Sequence, residues 1–248
     1  MRVLVVYAHP EPRSFCRALL DRGLAELAAG GHETQLCDLY AMGFEPVASE
    51  ADFEGRRFPD RLQYDREQKH AHEHRLFSAD IDREIAKLLW CDLLILHFPL
   101  WWFGMPAILK GWVDRVFANG VAYGKGRRYD TGGLRGRRAM VVTTTAASED
   151  MCAPDGLVGG LDVILWPIQN GTLAYAGFAV LPPYVAWSPV YVDEATRRGY
   201  LDAYGERLRS LPVAEPLPFH KLAEFGKDWR LRPDVTARTV GQGGPAGR

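Results

Sequence analysis

The sequence predicts a doubly wound α/β fold, a five-stranded parallel sheet with helices on both faces. Three observations predict it. Short unbroken apolar runs, VLVVYA at 3–8, DLLILHF at 92–98 and AMVVTTT at 139–145, have the length of strands buried on both sides. Segments with a helical hydrophobic period stand between them. No hairpin signal joins neighbouring runs, so the connections are crossovers.

The elements follow in order. VLVVYA is the first strand, and Ser14 to about Ala29 is an amphipathic helix carrying Phe15, Leu19, Leu20, Leu24 and Leu27. ETQLCDL is a weaker second strand. DLLILHF and AMVVTTT are the third and fourth. AVLPPYVAW at 179–187 is a fifth, and its prolines place it at an edge. Helices are expected at 78–90, 106–119, 157–176 and 193–210. Residues 47–77 break the rhythm: they are highly charged and too long for a connection, so they form a functional or a disordered excursion. Residues 1–211 read as one domain. Residues 212–248 read as a proline-rich C-terminal extension whose last ~15 residues are disordered.

Of 248 residues, 47% are hydrophobic and the net charge is −1. That near-neutral balance gives no general reason to expect nucleic acid or an acidic membrane as partner. No apolar run approaches the length of a membrane span, and the opening segment is too short for a secretory signal. Cys16, Cys37, Cys91 and Cys152 are scattered without a CxxC pair, which favours free thiols in a reducing compartment. A soluble cytoplasmic protein is expected.

Ligands of open parallel sheets bind outside the C-terminal strand ends. After strand one comes HPEPRSFC, where Ser14 suits either a helix cap or a phosphate held at the helix N-terminus. After strand three stands PLWWFG, three consecutive rings that serve either as core or as walls for a planar heteroaromatic ligand. After strand four stands TTTAAS, small and hydroxylated, open to a ring's polar edge or simply a loop. The chain has no GxGxxG after strand one, no GxxxxGKS and no GxSxG, so dinucleotide-Rossmann, P-loop and serine-hydrolase readings lose their main support. His70, His72 and His74 lack a matching ligand cluster and read as a charged, solvated face rather than a metal site.

Taken together, AHPEPRSF, CDLYAMGFEP, LQYD, FPLWWFGMPAILKGWVDRVF, YDTGGLRGRRA and VILWPIQNGTL resemble the NAD(P)H:quinone oxidoreductase (DT-diaphorase) family of the flavodoxin-like fold, over roughly residues 1–210. The resemblance implies a flavin, a dihydronicotinamide co-substrate, ping-pong hydride transfer to a quinone or similar aromatic acceptor, and a homodimer. It places His9, Ser14, Phe15 and Cys16 around the phosphates, and Gln63 in the excursion that reaches the distal part of the cofactor. Pro99, Leu100, Trp101, Trp102 and Phe103 match the ring-binding loop, and Thr144, Thr145, Ala146 and Ala147 the loop after strand four. Arg197 and Leu201 match positions near the adenine end. Tyr123, Lys125, Arg128 and Tyr175 match the acceptor pocket. The excursion favours FAD over FMN.

Departures from the family pattern are specific. Cys16 stands where FAD-binding members have asparagine, and Trp101 where glutamine is usual. Ala146 and Ala147 replace two glycines. The paired tyrosine and histidine that stabilise charge on the reduced ring are Cys152 and Val158 here. Lys125 and Arg128 replace tyrosine and methionine and make the pocket mouth cationic. Two other functions share this fold: a regulatory subunit docking on a potassium efflux transporter, and a flavodoxin-type electron carrier.

Overall fold

In the structure, a computed structural model that describes residues 1–244, the apolar runs form the strands. These are β1 (Arg2–Tyr7), β2 (Glu33–Asp38), β3 (Leu93–Pro99) and β4 (Arg138–Thr145). β3 is buried at every residue, whereas β2, at the edge, is buried only at Cys37. All pairings are parallel, in the order β2-β1-β3-β4. The last position is shared by β5 (Ala179–Val180) and β6 (Tyr184–Trp187), both paired with β4. The expected fifth strand is thus split, because Pro182 and Pro183 between the halves have no N–H for the ladder.

Alternation along the strands loads both faces. Leu4, Val6, Leu94, Leu96 and Val141 pack with α3 (Ala79–Trp90) and α4 (Ala107–Val116) through Ile81, Leu88, Leu109 and Trp112. Val3, Val5, Ile95 and Val142 pack with α1 (Phe15–Ala29) and α7 (Glu194–Arg209) through Leu19, Leu20, Leu27, Tyr204 and Leu208. Full burial of each such side chain stabilises by about 1.5–3 kcal/mol.

Two segments correct the expectations. The expected continuous helix over 157–176 is broken into α5 (Leu161–Ile164), α6 (Trp166–Ile168) and a π-helical turn at Gln169–Ala174. Pro167 cannot donate back to the preceding turn, which ends the α-helical ladder there. The excursion contains α2 (Tyr64–His74), which carries His70, His72 and His74. The buried side of α2 is mostly polar: Glu67 accepts the N–H groups of Arg57 (2.8 Å) and Phe58 (2.9 Å), and Gln68 donates to the Asp114 carbonyl (3.0 Å). At Gly111 the entry to the excursion packs so close that a Cβ would lie 2.2 Å from the Pro46 carbonyl oxygen.

The C-terminal extension folds back on this frame. Phe219 meets Trp166 edge-on at 5.6 Å, and the Leu222 N–H donates to Asp130 (2.8 Å). Further along the extension, Arg238 clasps Glu224 through two 2.8 Å bonds. Residues 245–248 of the segment expected to be disordered lie outside the described residues. Among the described residues no helix is long and apolar enough to cross a membrane.

Candidate active site

The strand order reverses between β1 and β3, so the crevice beyond their C-terminal ends is where a doubly wound sheet binds its ligand. On the β1 side, Ser14 caps α1 by accepting the Arg17 N–H (3.1 Å), and the first turn of α1 carries no acidic residue. Its remaining N–H groups suit an anion. His9 accepts the Glu11 N–H at Nδ1 (3.0 Å), which leaves the ring proton on Nε2. Burial lowers the His9 pKa, so the ring is a neutral donor at pH 7. Cys16 is buried beside the Thr144 hydroxyl, and burial pushes its thiol up to about 12.

On the β3 side, Trp101 and Gly104 exchange two backbone hydrogen bonds (3.1 and 3.0 Å) and close a tight turn over Trp102 and Phe103. Both central residues have positive φ, 49° and 60°, a conformation that costs about 1–2 kcal/mol per non-glycine residue. Trp102 is 97% exposed and Phe103 55%. A strained turn that projects two large rings into solvent is explained by something that covers them. Trp101 lies 6.1 Å from the His9 ring, which joins the two loops.

On the β4 side, Thr144 and Thr145 are buried and Ala146 is exposed. The Ala147 N–H turns back to the Thr145 hydroxyl (3.2 Å). Ser188, at φ 46°, donates its hydroxyl to the Ala146 carbonyl (2.8 Å) and holds this loop against the turn after β6. Arg197 is engaged with the carbonyls of Pro189 and Val192, so it braces that turn. Leu201, Phe15 and Tyr200 are partly buried and pack against the same core cluster. Cys152 is buried in a short 3-10 turn, and Val158 follows where its N–H bonds the Met151 carbonyl (3.0 Å).

Tyr123 and Tyr175 lie elsewhere on the chain. Their rings are 6.0 Å apart, and they line a cavity of about 550 Å³ with Tyr64, Gln68, Asp114 and Thr172. None of the strand-end loop residues described above lines it. A second cavity of about 290 Å³, lined by Phe103 and Met105, shares Thr172 with it. Arg128 lies 5.3 Å over the Trp229 ring, and Lys125 is exposed. Gln63 immediately precedes α2, midway along the excursion. Tyr64, Gln68 and Asp114 were not singled out by the sequence, although Tyr64 stands in LQYD. His70 and His74 are 4.3 Å apart, and no group of three metal-ligating side chains occurs among the described residues.

A family described as the flavodoxin-like fold matches residues 1–208. A ribosyldihydronicotinamide dehydrogenase (quinone) of Pongo abelii is 40% identical over 88% of this chain and 94% of its own. NAD(P)H dehydrogenase (quinone) 1 of Cavia porcellus is 39% identical over 88% of this chain and 80% of its own. Among solved structures, a Klebsiella pneumoniae protein assigned as a quinone reductase superposes with a TM-score of 0.90. It is 40% identical over 94% of this chain and 95% of that one. With its sheet order, strand-end loops and these relatives, the chain belongs to the flavodoxin-like fold family and, within it, to the quinone-reductase-type NAD(P)H oxidoreductases.

Proposed function

We propose that the protein is a flavin-dependent enzyme that moves a hydride equivalent from a dihydronicotinamide to a quinone or similar aromatic acceptor, in ping-pong order through one slot. The observation that carries this reading is the strained, exposed Trp102–Phe103 turn beside an acid-free helix N-terminus at the strand-order reversal. A bound flavin would supply a ring able to take two electrons as hydride and release them to the acceptor. The residues fit such a group in the chemistry of their donors and rings. The first turn of α1 with Ser14, Phe15 and Cys16 would hold its phosphates, and the His9 Nε2–H adds a neutral donor. Trp102 and Phe103 would border the ring and exclude water, with Thr144 and Thr145 at its polar edge.

The defined excursion, with Gln63 at the start of α2, supports FAD over FMN, since it adds surface that a shorter cofactor does not need. Tyr123 and Tyr175 would stack the acceptor, and Lys125 leaves the mouth cationic. No residue of the ring turn lines their cavity within one chain, which supports a homodimer in which two chains complete each slot. Four free buried cysteines support a cytoplasmic setting.

Cofactor extraction against FAD and FMN standards tests the binding. Anaerobic spectra with NADH, NADPH or a ribosyl dihydronicotinamide, the donor class named in one relative, test the reaction. Bleaching by at least one donor and reoxidation by a quinone are expected. A colourless protein that takes up neither flavin overturns the reading, and a flavin that no donor bleaches leaves only an electron carrier. Light scattering at micromolar concentration should give twice the chain mass.

A further inference from the structure

We propose that Arg115 is a positioning residue for the acceptor cavity, acting through Asp52 on Tyr64; this rests on the cavity being the acceptor's site. Arg115 leaves α4 into the protein interior, where its side chain is only 4% exposed and that of Asp52 only 2%. Its Nε and Nη2 both donate to Asp52 Oδ1 (3.1 and 2.9 Å). Nη2 also reaches Asp80 (2.9 Å), and Nη1 the Glu45 carbonyl (2.6 Å). The guanidinium lies 5.1 Å over the Phe44 ring. The second oxygen of Asp52 accepts the Tyr64 hydroxyl and the Ser49 N–H (3.2 Å). One cation therefore gathers the entry to the excursion, its first turn, the start of α2 and the start of α3.

The joined segments carry one wall of the 550 Å³ cavity, through Ala48, Tyr64 and Gln68, while Tyr123 and Tyr175 belong to the frame. A buried ion pair is a poor source of net stability compared with apolar packing, so its distinctive contribution is to fix geometry. Arginine suits the task because its planar fork serves several acceptors at once, which a lysine ammonium does not do in one plane. Burial, reinforced by Asp52, raises the Tyr64 phenol; it stays protonated and donates to Asp52 at any working pH. The ring is thereby anchored at its far end, and the cavity keeps a constant width for a flat acceptor.

The test measures binding of a naphthoquinone to the oxidised holoprotein by calorimetry, without turnover, for wild type, Tyr64→Phe, Arg115→Lys and the double variant. Arg115→Lys is expected to weaken binding about tenfold and Tyr64→Phe about threefold, with the double variant no weaker than Arg115→Lys alone. In steady state the quinone KM rises by a similar factor while kcat stays within about twofold. A structural role alone gives multiplicative effects or a fall in kcat. Either result overturns the proposal, as does unchanged binding in Tyr64→Phe, a variant that decides even if Arg115→Lys does not fold. Wild type that binds no naphthoquinone would instead remove the reading of the cavity itself.

Discussion

The Leu100 N–H donates to the Thr144 carbonyl at 2.8 Å, immediately beyond the Pro99–Thr144 pair that ends the β3–β4 ladder. This bond fixes the root of the aromatic turn to the sheet, so the turn cannot relax its two positive-φ residues by swinging away. Glycine at Trp102 would remove a side chain that the described chain leaves almost wholly exposed. We therefore expect Trp102→Gly to stabilise the flavin-free protein by about 1 kcal/mol in urea denaturation, the usual cost of a left-handed non-glycine residue. The same variant should lose most of its bound flavin. A destabilised apoprotein would show that Trp102 holds the fold rather than the ligand.

His97 gives a pH prediction. It sits on β3, wholly buried between Tyr7 and Tyr204, with neither ring nitrogen in a hydrogen bond. Burial lowers its pKa to about 3, outweighing a backbone contact at Cys16 that favours the charged form. The unfolded chain takes up this proton near pH 6.5 and the native chain does not, so the contribution is complete above 6.5 and lost as pH falls toward 3. The slope approaches about 1.4 kcal/mol per pH unit for this one proton. His97→Gln should flatten the decline in stability between pH 6 and 4. An unchanged slope in denaturant titrations at those pH values would assign acid sensitivity to other groups.

The thiols should be silent in the native state. All four cysteines are buried and free, and burial raises Cys16 and Cys37 to about 12 and Cys91 to about 11. Since the thiolate is the reactive form, a disulfide reagent at pH 8 should label less than one thiol per native chain within minutes. All four should react after denaturation. Fast labelling of Cys16 in the native protein would mean that the first turn of α1 opens readily.

What the sequence reveals depends on what is being buried. β1, β3 and β4 are legible because strands covered on both faces must be apolar throughout. α1, α3, α4 and α7 are legible from caps and periodicity. α2 is not, because its buried residues are Glu67, Gln68 and Ala71, and carboxylate and amide groups satisfied by distant backbone leave no hydrophobic period. The break in 157–176 was signalled by Pro167 but masked by the apolar residues around it. At the site, the strand-end residues follow from the order of elements. The wall formed by Tyr64 and Gln68 does not, since only the folded excursion brings it to Tyr123 and Tyr175.

The last prediction concerns Cys152 and Val158. Hydride transfer to a ring places negative charge at its polar edge, and one well-aimed donor to developing charge is worth about 2.7–4 kcal/mol. Val158 offers no side-chain donor, and Cys152 is a weak one whose thiol is buried. The Ala147 N–H, a natural substitute in the loop after β4, is already turned to the Thr145 hydroxyl. On the proposed reading, that leaves the Ala146 region and Lys125 as the remaining sources of stabilisation. The double variant Cys152→Tyr, Val158→His places at these positions the pair that the resemblance implies, with the Val158 N–H tied to the Met151 carbonyl. Stopped-flow reduction by NADPH should then be about a hundredfold faster than in wild type, the lower end of what one donor contributes. The variant's flavin content and melting temperature must match wild type for the comparison to count. If a folded, flavin-loaded variant is reduced no faster, charge at that edge does not limit the reaction, and the slow step lies in donor binding or release.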